Sequence, residues 1–261
     1  MQILLTNDDS IYAEGLAVLW SALSEIAEVT VVAPDRERSA TGHGITVDQP
    51  LRAERVSLFS GAAWAVNGTP ADCVKLAVNC LLKKKPDIVV AGINRGPNLG
   101  IDVLYSGTVS GALEGLILGI PAIAVSVADY DNPDYRYAAY FTKKLVPKVL
   151  ETDFCTDTLL NVNVPSLPAE EIQGVRITKL GNRKYLNSFE VRKDPRGRLY
   201  YWLGGDVIDL DDDPDTDVAA IREKMVSITP IHIDLTNYRA IRALEKLLPD
   251  LQGELLHSKE Y

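Results

Sequence analysis

The chain has 261 residues, enough for one large domain or two small ones, and its 46% apolar content supplies a sizeable core. Its 36 acidic against 27 basic residues leave a formal net charge of −9, which argues against a nucleic acid or an anionic membrane as partner, because both attract basic surfaces. No apolar run reaches about 18 residues and the first residues lack the basic–apolar–small succession of a secretory signal, so no transmembrane helix is expected and a cytoplasmic location is.

The first ten residues set the theme. Ile3, Leu4 and Leu5 form a short apolar run with no room for a helix before it, as in a buried parallel strand, and Asn7, Asp8 and Asp9 follow at once. Leu16, Leu19, Trp20 and Leu23 then recur at helical spacing, predicting a helix over about 14–24. Val29 to Ala33 is the next apolar run, which completes a strand–helix–strand unit and implies a parallel sheet. The polar, glycine-bearing segment Asp35 to Gly44 leaves that second strand on the same sheet edge as Asp8 and Asp9. Residues 45–66 alternate with β-branched positions and predict short antiparallel excursions.

Pro70 to Leu82 reads as a helix with Thr69 as its cap and Lys83-Lys84-Lys85 at its end. Asp87 to Ile93 is the clearest buried strand, and it runs into the irregular loop Gly92-Ile93-Asn94-Arg95-Gly96-Pro97-Asn98-Leu99-Gly100. Ser106-Gly107-Thr108 opens a helix to about Leu118, Pro121 to Val127 is a further strand, and Tyr135 to Leu150 a further helix. This alternation specifies an α/β doubly wound core with a mainly parallel sheet.

After residue 155 the pattern changes. Strands are expected at Leu159–Val164 and Val175–Leu180, then a β-hairpin from Lys184–Arg192 and Leu199–Leu203 around the turn Asp194-Pro195-Arg196-Gly197. A strand at Val226–Ile233 and a helix at Asn237–Leu248 close the chain. The expectation is one domain over 1–261, with its core over about 1–180 and a protruding hairpin over about 182–205. The C-terminal strand–helix segment, about 224–250, is expected to serve oligomerisation. Cys73, Cys80 and Cys155 are odd in number and fit no CxxC spacing, which suits free thiols.

In an open α/β sheet, ligands bind beyond the carboxyl ends of the strands. Asp8 and Asp9 sit at such an end, where Asp is more commonly a helix cap than half of a metal site. Ser39, after the second strand, and Asn94, after the strand ending at Ile93, bring two more oxygens to the same edge. Asp, Asp, Ser and Asn make a hard-oxygen set suited to Mg²⁺, Mn²⁺ or Ca²⁺ and not to zinc. The Ser106-Gly107-Thr108 turn offers N–H groups, hydroxyls and a helix dipole to an anion such as phosphate, or serves as an ordinary N-cap. His43 lies near Ser39 and reads either as a substrate-binding or acid group or as a surface-loop residue. No Walker loop, dinucleotide fingerprint or nucleophile elbow survives inspection. Asp209, Asp211 and Asp213 imitate the start of an EF-hand, but Pro214 stands where Gly is required and Ala220 where the last Glu belongs. His232 and His257 are too scattered to argue for zinc.

Several blocks taken together resemble the SurE survival-protein nucleotidases. They are Thr6-Asn7-Asp8-Asp9, Ala33-Pro34-Asp35 with Arg38-Ser39-Ala40-Thr41-Gly42, Gly68-Thr69-Pro70-Ala71-Asp72-Cys73, Gly92 to Asn98, Tyr105 to Ala112, and Ser227-Ile228-Thr229-Pro230. The resemblance spans nearly the whole chain and implies a Rossmann-like three-layer α/β core. It implies a divalent-metal-dependent phosphatase of nucleoside 5′- and 3′-monophosphates, with possible exopolyphosphatase activity, holding one Mg²⁺ or Mn²⁺ per subunit on Asp8, Asp9, Ser39 and Asn94. It further implies catalytic roles for Asp8 and Asp9, phosphate contacts from Asn98, Ser106, Gly107 and Thr108, and a homodimer or homotetramer made by C-terminal exchange. Ser10 departs from the pattern, which usually has Gly there, and would be strained if that position needs φ > 0. A rival from another class is a non-catalytic nucleotide or metal sensor on the same fold.

Overall fold

The computed structural model describes residues 1–152, 157–186, 189–210 and 212–248. In the first half, the strands are β1 (Gln2–Thr6), β2 (Glu28–Pro34), β3 (Ala53–Arg55), β4 (Ala63–Val66), β5 (Ile88–Arg95) and β6 (Ala122–Val127). They alternate with helices α1 (Glu14–Ser24), α2 (Pro70–Leu76), α3 (Gly107–Ile117) and α4 (Arg136–Leu150). The second half adds β7 (Leu159–Val164), β8 (Gly174–Ile177), β9 (Arg183–Leu186), β10 (Phe189–Lys193), β11 (Leu199–Leu203), β12 (Asp206–Asp209) and β13 (Met225–Ile231), with helices α5 (Asp217–Arg222) and α6 (Tyr238–Leu244).

The centre is a nine-stranded sheet in the order β3-β4-β2-β1-β5-β6-β7-β13-β8. It is parallel except where β3 meets β4 and β13 meets β7. Both faces are covered, which is why its strands read as unbroken apolar runs. Ile3 and Leu5 of β1 point into a core shared with Leu16, Leu19 and Leu23 of α1 and Val146 of α4. Leu4, between them, points to the opposite core with Val74 of α2 and Ala112 and Leu116 of α3. The expected three-layer α/β architecture is the observed one.

Local chemistry sets the element ends. Thr69 caps α2 through a capping box: its hydroxyl accepts from Asp72 N while Asp72 Oδ2 accepts from Thr69 N at 2.9 Å. The helix expected over Pro70–Leu82 is α-helical only to Leu76 and continues as a π-helical turn over Ala77–Leu81. Cys73 is a buried free thiol and Cys80 an exposed one, while Cys155 lies outside the described residues.

The largest departures come after β7. The C-terminal strand does not stand apart: β13 is inserted between β7 and β8, antiparallel to the first and parallel to the second. The single strand expected at Lys184–Arg192 is two, β9 and β10, and they take different partners: β12 pairs with β9, and β11 with β10 across the expected turn. Every residue of β10 and β11 is exposed, and α6 buries none of its residues. Large apolar side chains are therefore in solvent, among them Phe189, Trp202 and Leu203 on the hairpin and Leu235, Tyr238 and Leu244 near α6. No helix among the described residues is long and apolar enough to cross a membrane.

Candidate active site

Three loops leave the carboxyl ends of β1, β2 and β5 and are bound together by their backbones. Arg38 N donates to Asp8 O at 2.7 Å, and Gly42 N donates to Tyr105 O at 3.0 Å, which joins the Ser39 loop to the turn before α3. The result is a cleft of about 790 Å³ whose lining includes Asp8, Ser39, Asn94, Asn98 and Ser106. A smaller pocket of about 300 Å³ beside Glu14 and Val18 gathers no comparable set of oxygen ligands.

The capping reading of the acidic pair fails. The cap position of α1 is Ala13, with no side-chain cap bond. Asp8 is buried and instead reaches across to α3, where Thr108 Oγ1 donates to its Oδ1. Burial, reinforced by the neighbouring Asp9 charge and only partly offset by Thr108, pushes the Asp8 carboxyl up to about 7. Asp9 is half-buried, accepts from Arg95 N at 3.2 Å, and is also raised, chiefly by burial. Two adjacent carboxylates held out of water are costly until a cation joins them.

The other members are simpler. Ser39 is exposed and donates to Glu37 Oε1 at 2.6 Å. Asn94 gives its Nδ2 to Gly96 O at 2.7 Å, so its remaining polar atom is the oxygen, the end that a hard cation takes. Asn98 is buried and gives Nδ2 to Ser126 Oγ at 2.8 Å, with a second hydrogen left on that nitrogen. Ser106 lines the cleft and caps α3, its Oγ accepting from Val109 N at 3.0 Å, while Gly107 and Thr108 behind it are buried and are not among the lining residues. Asn7 Oδ1 is buried without a partner beside the acidic pair.

His43 is turned elsewhere. Its Nε2 meets Glu114 Oε2 at 2.9 Å, and Lys75 Nζ meets the other oxygen of that buried carboxylate at 2.9 Å. These partners hold Glu114 below the usual carboxylate range, with the His43 bond the largest cause. His43 is not among the residues that line the cleft, and neither are Asp9, Gly107 and Thr108. The acidic loop near Asp213 is a surface ion pair with Lys179, while Asp211 and His257 lie outside the described residues.

Residues not foreseen from the sequence complete the cleft. Tyr105, Tyr130 and Tyr185 line its apolar side, and Leu203 with Gly204 brings the end of β11 to its mouth. Asp102 accepts from Arg183 Nη1 at 3.0 Å and Tyr185 OH at 2.5 Å, which fastens the β9–β12 hairpin to the loop between Asn98 and Ser106. A tyrosine some eighty residues downstream gives no local sign of this.

Ser10 bears out the expected strain: its φ is 108°. Asn7 Nδ2 donates to Ser10 O at 2.8 Å and holds the turn there. Ser10→Gly is expected to stabilise the protein by about 1 kcal/mol, the relieved strain exceeding the extra entropy of Gly in the unfolded chain. A thermal melt should rise by about 2–4 °C with turnover unchanged; a fall in melting temperature would sink the strain argument.

The donor set fits a hard divalent ion. It is all oxygen, two of its members are carboxylates driven toward neutrality by burial, and among the described residues no group of three or more His, Cys, Asp or Glu offers a zinc-type alternative.

The family model for survival protein SurE matches residues 3–187. The chain is 56% identical over 250 residues to the 5'-nucleotidase SurE of Heliobacterium modesticaldum, covering 95% of this chain and 92% of that one. It is 53% identical over 261 residues to the 5'-nucleotidase SurE of Carboxydothermus hydrogenoformans, covering 98% and 99%. Its structure superimposes on the crystal structure of the SurE protein from Aquifex aeolicus with a TM-score of 0.83 and 42% identity, over 95% of this chain and 99% of that one.

Proposed function

The chain belongs to the SurE survival-protein family, and from that premise we propose that it is a divalent-metal-dependent phosphomonoesterase releasing phosphate from nucleoside 5'-monophosphates, with 3'-monophosphates and polyphosphate as further substrates to be tested. The observation that carries the reading is the meeting, in one cleft, of the buried Asp8 carboxylate, with half-buried Asp9 next to it in the chain, and Ser106, the cap of a helix N-terminus. The first suits a cation and the second an anion.

Asp8, Asp9, Ser39 and Asn94 would hold the ion, Mg²⁺ or Mn²⁺ by the chemistry of the donors. When bound, it supplies Lewis acidity at the phosphoryl group and acidifies water. Asn98, Ser106, Gly107 and Thr108 would receive the phosphoryl oxygens as charge builds on them. Asp9 is the more open carboxylate, with Oδ1 outside its bond from Arg95 N, and is assigned the proton of the attacking water. Tyr105, Tyr130 and Tyr185 give the nucleoside an apolar wall.

The experiment is phosphate release from AMP, crossed with Mg²⁺, Mn²⁺, Co²⁺, Zn²⁺ and EDTA. Turnover with a hard divalent ion that EDTA abolishes is expected. No turnover with any ion would favour the sensor reading.

The exposed apolar faces of the hairpin and α6 support a homo-oligomer built on the C-terminal segments. Removing residues 232–261 should lower the mass found by sedimentation, and a full-length chain that sediments as a monomer would overturn this.

A further inference from the structure

We propose that Asn163 is a positioning residue for phosphate release, acting through Asn98, with Asn161 and Ser126 completing the brace. This rests on the phosphatase reading above, in which Asn98 receives a phosphoryl oxygen.

The neighbouring strands β6 and β7 are buried along their whole length, and nearly all of their side chains are apolar. Of the three exceptions, Ser126, Asn161 and Asn163, the first and last lie in register with each other. Asn94 of β5 stands opposite Ser126 of β6, Ser126 opposite Asn163 of β7, and Asn163 opposite Ser227 of β13. Ser126, Asn163 and Ser227 are fully buried. A polar row thus crosses the sheet and ends at a candidate metal ligand.

Asn163 spends its whole carboxamide on one residue. Its Oδ1 accepts from Asn98 N at 2.8 Å and its Nδ2 donates to Asn98 O at 3.0 Å, over 65 residues of sequence. The side chain therefore imitates a neighbouring peptide, giving a loop residue the paired bonds that a strand would receive. Asn161, two residues earlier on the same face, donates its Nδ2 to the same carbonyl at 2.9 Å. Ser126 Oγ accepts from Asn98 Nδ2 at 2.8 Å, so both the backbone and the side chain of Asn98 are fixed.

Stability alone does not account for this arrangement. Asn163 does satisfy the buried N and O of Asn98, which an apolar side chain would leave unpaired, but Asn161 adds a second donor to that carbonyl and Ser126 fixes a side chain that the backbone bonds leave free. Asn161 Oδ1 is buried with no partner, so one member carries an uncompensated cost. What the row does is aim the Asn98 carboxamide into the cleft that also holds Asp8, Asn94 and Ser106. A group meant to meet charge in a transition state gains from being held in place before the reaction.

The test is a double-mutant cycle on AMP turnover with Mn²⁺, using Asn98→Ala, Asn163→Leu and the pair. Asn163→Leu should lower kcat about tenfold to a hundredfold with KM changed less than about threefold. In the Asn98→Ala background the same change should cost less than about twofold, because its effect passes through the missing carboxamide. Ser126→Ala removes one hydroxyl and is the arm that decides if Asn163→Leu does not fold; it should lower kcat about threefold to tenfold and be similarly silent without Asn98. A folded variant at the wild-type rate, or losses that multiply in full in the Asn98→Ala background, overturns the proposal. Wild-type protein that releases no phosphate with any ion overturns the phosphatase reading instead.

Discussion

Asp8→Asn is expected to lower phosphate release from AMP by at least ~10³-fold while raising the melting temperature of the metal-free protein at about pH 8. The loss follows from removing one of two charges proposed to hold the cation. The gain follows from linkage. The Asp8 carboxyl sits at about 7 in the folded chain against an ordinary 3.8, so the folded state holds this proton more tightly than the unfolded one. A raised carboxyl is without penalty below its unfolded value, and it progressively destabilises the fold as pH rises from about 4 to about 7. At higher pH the penalty is complete, with an upper bound of about 4 kcal/mol. Asn carries no such penalty, and its Oδ1 still accepts from Thr108.

Melts of metal-free wild type and Asp8→Asn should therefore coincide more nearly at about pH 4 and separate by about pH 8. Adding Mn²⁺ should then raise the wild-type melt, since a ligand of the folded state stabilises by mass action, and leave the variant nearly unmoved. Equal melts at both pH values would show that Asp8 is not destabilised by its burial. Undiminished turnover would remove it from the candidate site.

How much of this was legible in the sequence depends on how local the deciding physics is. Ile3-Leu4-Leu5 and Ile88-Val89-Val90-Ala91 announced their strands because a strand covered on both faces must be apolar throughout. The helix predicted over about 14–24 is Glu14–Ser24, since Leu16, Leu19 and Leu23 all face one core. The acidic pair was visible as a pair, but its direction was not, because Thr108 lies 100 residues away. The same holds for His43: proximity to Ser39 in sequence said nothing of Glu114, 71 residues on. The insertion of β13 between β7 and β8 and the splitting of Lys184–Arg192 into two strands depend on partners chosen in three dimensions, which propensity does not encode. Asn161 and Asn163 did leave a signal, as two carboxamides inside Leu159-Leu160-Asn161-Val162-Asn163-Val164. A strand reading passes over them; a search for polar residues at fully buried positions finds them.

Gly107→Ala should cost about 10²-fold or more in kcat/KM per folded molecule. A Cβ at Gly107 would lie 2.7 Å from Asp8 Cβ and 2.8 Å from Asp8 Oδ2, closer than such contacts allow. Asp8 cannot yield freely, for it is buried and held by Thr108 of the same helical turn. Either the carboxylate rotates out of the candidate cage or the N-terminus of α3 withdraws from it, and both separate the cation site from the anion site. The fold is strained by this contact as well, and the preference of helices for Ala offsets little of it at the first position of α3. Gly115, two turns along α3, provides the contrast. Its added Cβ would lie 2.7 Å from Val89 Cγ2 in the core beneath the helix, far from the cleft-lining residues. Gly115→Ala should therefore lower stability by about 1–3 kcal/mol and leave the rate per folded molecule near that of wild type. Measuring both variants separates crowding of the carboxylate from crowding of the helix. If Gly107→Ala turns over at the wild-type rate, the close apposition of Asp8 and the first turn of α3 is not what the reaction uses.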